Sequence, residues 1–152
     1  MAIYFGSQTA SDDKLDDYEE GTYTVTVQTD NGVNCGLSDA QGSYVKVGNI
    51  CIATITIQTN SHSGVNTTGR YRVFLPFTAK NQSGIGTEGN LTCSIFSISS
   101  QSIGWMAGEI SNNFNFIYMS YHNNNNNNTN NLTPSAANNS LFFRGTAIFR
   151  TA

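Results

Sequence analysis

Leu15–Val27 reads LDDYEEGTYTVTV, an acidic segment that stops at Gly21 and gives way to strict period-two patterning. Across Gly21–Gln28, Tyr23, Val25 and Val27 fall on one face, and Thr22, Thr24, Thr26 and Gln28 fall on the other. An antiparallel strand with one wet face has this pattern. Gly21 is expected to act as the hinge between an arm with its acidic box, residues 1–20, and a β domain, residues 21–152.

Working outward, Asp30-Asn31-Gly32 is a turn signal that closes this strand. Tyr44–Gly48 and Ile50–Gln58 read as two strands, or as one kinked at Gly48-Asn49. In the second, Cys51, Ala53, Ile55 and Ile57 share a face. Arg70–Phe77 points Tyr71, Val73, Leu75 and Phe77 inward and Arg70 and Arg72 outward, and Pro76 marks its end or an edge. Leu91–Ser99, Ile103–Ile110, Phe114–Tyr121 and Leu141–Thr151 complete a set of about eight short strands with no convincing helix. The expectation is an all-β fold, an antiparallel β-sandwich of jelly-roll type with an extended N-terminal arm.

Two of these strands carry bulk on both faces. Leu91–Ser99 sets Leu91, Cys93 and Ile95 against Phe96 and Ile98, and Phe114–Tyr121 sets Phe114, Phe116 and Tyr118 against Ile117, Met119 and Tyr121. A strand that is apolar on both sides is covered twice, so Phe96, Ile98, Ile117 and Met119 are expected at a subunit interface.

Composition narrows the function. Charged residues are 11% of the 152-residue chain, against about 25% in an average globular protein, and Asn, Ser, Thr, Gln and Gly take their place. Seven Lys and Arg, thinly spread, with a net charge of −3, leave no footprint for nucleic acid and no polybasic membrane patch. No signal-peptide-like run and no apolar stretch of spanning length is present, so membrane insertion is not expected. Cys35, Cys51 and Cys93 have neither CxxC spacing nor a His cluster nearby. Cys51 and Cys93 read as small buried hydrophobes rather than disulfide partners or zinc ligands.

Six of the ten acids, Asp12, Asp13, Asp16, Asp17, Glu19 and Glu20, lie within nine positions. A solvated or capping segment accounts for them. The DxDxDG-type spacing of a calcium loop is absent, while a carboxylate pair of the glycosidase kind stays open. No nucleophile elbow, phosphate loop, HExxH or dinucleotide fingerprint occurs, and neither an enzyme nor a cofactor is expected. His62 and His122 both read as ordinary solvated loop histidines.

Before the box, Ile3, Tyr4 and Phe5 form an apolar cluster in a segment too short to fold alone, which suits docking into a groove on a neighbouring protein. Late in the chain, Asn123–Asn131 reads NNNNNNTNN and lacks the apolar surface to join a core. It is expected to be a loop, either a tolerated insertion or, with Tyr121, His122, Asn125 and Asn128, a contact for neutral glycans.

Three segments together carry a resemblance. LDDYEEGTYT, GSYVKVGN at Gly42–Asn49 and LPF at Leu75–Phe77 resemble a module of tail fibres and other surface proteins of tailed bacteriophages. Arg144–Ala152, RGTAIFRTA, is similar to the closing strand of that module, with Ala147 where the family has an aromatic. The resemblance implies a homotrimeric, β-rich, non-enzymatic protein of the virion surface, made in the host cytoplasm and partnered by capsid or tail proteins. A capsid decoration or short fibre tip held by its arm is the leading expectation. A host-receptor or glycan-binding tail-fibre module is the alternative, and a depolymerase acting through the acidic box is a third.

Overall fold

A computed structural model describes residues 3–4, 14–15, 18–84, 86–98, 103–123, 128–137 and 140–152. Its strands are β1 (Ile3–Tyr4), β2 (Lys14–Leu15), β3 (Tyr18–Tyr23), β4 (Val27–Gln28), β5 (Gly36–Val47) and β6 (Ile50–Ser61). They continue with β7 (Arg72–Phe74), β8 (Thr87–Ile98), β9 (Ile103–Ser111), β10 (Phe116–Asn123), β11 (Thr129–Asn131) and β12 (Leu141–Arg150). No helix occurs among the described residues, so the fold is all-β, as the alternation requires.

β1 and β2 pair with each other, and the other ten strands form one sheet in the order β3-β5-β6-β12-β8-β9-β10-β7-β4. β11 shares the free side of β10 with β7. Every pairing is antiparallel. The edge strands β3 and β4 are separated in the chain only by Thr24, Val25 and Thr26. Four Cα steps span at most about 14 Å, whereas a flat sheet nine strands wide would hold its edges about 38 Å apart. The sheet must therefore curl on itself, and it does so as a half-barrel whose concave face encloses a sandwich-like core.

That concave face receives the residues assigned to it by period two. Cys51, Ala53, Ile55 and Ile57 of β6 are fully buried, as are Phe143 and Ala147 of β12, while the alternate residues on the other face are exposed or half-buried. Ala147 lies opposite Ala53 on one side and Leu91 on the other, at the middle of the core, where there is no room for an aromatic ring. Gly48, at φ +57°, makes the β5–β6 connection a tight hairpin rather than a kink in one strand.

The structure corrects several expectations. Gly21–Gln28 is not one strand: β3 ends at Tyr23 and β4 starts at Val27 on the opposite edge, although burial still alternates from one to the other. Gly21 is not a hinge, since it lies within β3 opposite Tyr44. Ile117 and Met119 do not reach a subunit interface, because both are fully buried in the chain's own core. The bulk on the other face of β10 packs against its own neighbours: Phe116 meets Phe74 at 5.6 Å and Tyr118 at 5.0 Å. Part of the Asn tract is strand, with Thr129–Asn131 paired to Ser120–His122.

Candidate functional site

The three segments that carry the resemblance converge. β3 pairs with β5 so that Gly21 lies opposite Tyr44 and Gly42 opposite Tyr23. Each glycine makes room for a tyrosine: a Cβ on Gly21 would meet the Tyr44 hydroxyl at 2.9 Å and its ring at 3.1 Å, and one on Gly42 would meet the Tyr23 ring at 2.3 Å. Phe77 completes the cluster edge-on to Tyr44 at 5.0 Å, with Lys46 Nζ 6.0 Å from its ring centre. The Tyr44 hydroxyl donates to Glu19 at 2.7 Å, and the Tyr18 hydroxyl donates to Glu20. These carboxylates raise both phenols above their ordinary values.

The two carboxylates lie on opposite faces of β3: Glu19 reaches the half-buried Tyr44 on the core side, and Glu20 reaches the exposed Tyr18 on the convex side. No group of three or more metal-ligating side chains occurs among the described residues. Asp12, Asp13, Asp16 and Asp17 lie outside the described residues.

The convex face divides into three zones. Beside the box, Tyr18, Val47 and Ile50 form one cross-strand row and Val45, Ile52 and Ile148 the next, all six between 38% and 54% exposed. The following row is Thr22, Ser43, Thr54, Thr146 and Thr92, a hydroxyl ladder across five strands flanked by a shallow groove.

The third zone lies on β9, β10 and β11. Trp105 is opposite His122, their rings stacked at 5.6 Å and 8°. In the next row Ala107 faces Ser120, which in turn faces Asn131. In the row after that, Glu109 faces Tyr118. Arg70 lies 4.4 Å over the Tyr118 ring and binds the Glu109 carboxylate at 3.4 Å. Small residues therefore floor a trough between two aromatic walls.

Several predicted site residues fall here and others do not. His122 is half-buried against Trp105 rather than solvated, and Asn128 is exposed, its carbonyl accepting from Asn130 Nδ2 at 3.2 Å. Tyr121 is corrected: at 8% exposure it belongs to the core and has no face to offer a glycan. His62 is half-buried and hydrogen-bonded through Nε2 to the buried Tyr71 hydroxyl at 2.7 Å, so it too is no solvated loop histidine. Ile3 and Tyr4 lie in β1, opposite Leu15 and Lys14, and Phe96 and Ile98 lie in β8, opposite Phe143 and Leu141. The side chains of those four, together with Phe5 and Asn125, lie outside the described residues.

Trp105, Glu109, Ser120 and Arg70 were not singled out as a site by sequence reasoning. The signal that assembles them is the β9–β10 register, which places Trp105 on His122 and Glu109 on Tyr118. Comparison with protein families, with curated proteins and with solved structures finds no match to this chain.

Proposed function

We propose that the chain is a structural module of a tailed-bacteriophage surface, a compact homotrimer without catalytic activity, anchored to capsid or tail proteins through its N-terminal arm. The observation that carries this reading is the apolar patch of Tyr18, Val45, Val47, Ile50, Ile52 and Ile148 beside the free edge of β3. A solitary sandwich has no use for contiguous Val and Ile on its convex face, and such patches mark contacts with other proteins. Support also comes from the box, the GSYVKVGN segment and the LPF segment, which pack together as one unit around Tyr23, Tyr44 and Phe77.

Light scattering on the purified protein is expected to give a trimer mass. Deleting residues 1–11 is expected to leave that trimer folded but unable to copurify with particles. A stable monomer at micromolar concentration overturns the assembly, and normal incorporation of the truncated protein overturns anchoring by the arm. The second reading, a host-receptor or glycan-binding module, is favoured by one feature, the aromatic trough around Trp105 and His122.

A further inference from the structure

We propose that the trough on the convex face of β9, β10 and β11 is a binding site for a neutral oligosaccharide, with the sugar seated between the Trp105–His122 pair and the Tyr118–Arg70 pair. The inference stands on one chain alone and does not require the trimer or the virion setting proposed above.

The geometry is that of a sugar platform. Trp105 is 46% exposed on a sheet face, with His122 holding its ring by offset stacking. An indole face presents negative potential to the C–H bonds of a pyranose ring. Ala107 and Ser120 hold the next row low, and Ser120 Oγ donates to the Ala107 carbonyl at 3.3 Å, which draws that hydroxyl down onto the sheet. Trp105 and Glu109 stand four residues apart on β9, about 13 Å at ~3.3 Å per residue. That length accommodates a disaccharide lying along the strands.

The polar groups around the floor match hydroxyls. Thr92 lies across the strand from Ala107, Asn131 from Ser120 and Thr129 from His122, and all three are exposed. Amides and hydroxyls both donate and accept, as sugar hydroxyls do. The far wall adds the Glu109 carboxylate, half-exposed and oriented by Arg70.

Charge selects the ligand class. Arg70 is paired with Glu109, and Arg72 with Asp30 at 2.9 Å, so each cation of the wall carries its own counter-ion. An anionic sugar would have to displace a carboxylate to reach either guanidinium. A neutral one meets a surface with no net charge to oppose it.

The chain contains a single Trp, so intrinsic fluorescence reads this site directly. The full chain is to be screened on an array of neutral and anionic oligosaccharides, and the ligands retained are then titrated while the Trp105 emission is followed. We expect neutral oligosaccharides to bind and to shift that emission saturably. Ser120→Leu, which fills the floor but keeps the indole, should abolish the shift while leaving the melting temperature unchanged. Trp105→Phe, followed by calorimetry, should weaken binding roughly tenfold. Absence of any neutral ligand overturns the proposal, as does a ligand whose affinity survives both substitutions. Retention of anionic sugars alone also overturns it.

Discussion

A methyl group added to Gly42 would lie 2.3 Å from the Tyr23 ring, a distance that no packed structure tolerates. Gly42→Ala must therefore move a half-buried tyrosine or part β3 from β5, and overpacking of this kind costs about 1–3 kcal/mol. Urea unfolding should record that loss. Combining it with Tyr23→Ala should give less than the sum of the two single losses, because the second change removes the ring that the methyl strikes. Additive losses would place the cause elsewhere. The cysteines make a second prediction at this scale. Burial pushes the thiols of Cys35 and Cys51 up to about 11 and that of Cys93 up to about 12, from an ordinary value of 9.0. A folded-state pKa above the unfolded one contributes stability that is fully present below pH 9.0 and is lost as the pH rises through about 11. Unfolding midpoints should fall on that alkaline limb, and a thiol reagent at pH 8 should label the unfolded chain much faster than the folded one.

Individual strands show what the sequence makes legible and what it hides. β6 and β12 are readable because one face of each is core and the other is open, so burial alternates with period two along both, even where Ile50, Ile52 and Ile148 stand on the open face. β10 is apolar on both faces for a physical reason within the chain: Ile117 and Met119 enter its own core, while Phe116 and Tyr118 on the outer side pack against Phe74, Arg70 and Arg72. The break between β3 and β4 left no trace, because Thr24–Thr26 crosses from edge to edge without changing the period of two. The trough was hidden for a different reason. Trp105 and His122 are seventeen positions apart, and only the register fixed by the β9–β10 connection sets one on the other. The same register gives a prediction for the Asn tract. Tyr121 pairs with Asn130 and His122 with Thr129, so replacing residues 124–127 by Asn-Gly should preserve the β10–β11 pairing. Loop-closure free energy changes by only about 0.6 kcal/mol per doubling of length. Thermal melting of the shortened protein should therefore stay within a few degrees of the parent, and a larger fall would mean that those four residues are packed into the fold.

At the level of the whole molecule, the half-barrel gathers its aliphatic residues chiefly in two places, the concave core and the patch beside the box. The first is obligatory for folding, and the second stabilises nothing in a lone chain. Ile52 is 45% exposed and Ile148 49%, directly opposite each other on adjacent strands. Ile52→Glu should therefore cost an isolated chain little, since its carboxylate can reach water, and surface changes of this kind lie near ±0.5 kcal/mol. In a trimer joined through this patch the same carboxylate would be desolvated among Val45, Val47 and Ile148, at a cost far above what a subunit contact can absorb. A specific interface buries about 1,200–2,000 Å² in total. Six side chains supply only its centre, and the hydroxyl ladder beginning at Thr22 and Ser43 would form its polar rim. The expected outcome is a monomeric Ile52→Glu protein with β-sheet circular dichroism intact and cooperative unfolding retained. Gln41→Glu, on the same convex face beyond the ladder, should leave the trimer in place. A trimer that survives Ile52→Glu would move the subunit contact off this face, and an unfolded variant would mean that Ile52 supports the sheet rather than an assembly.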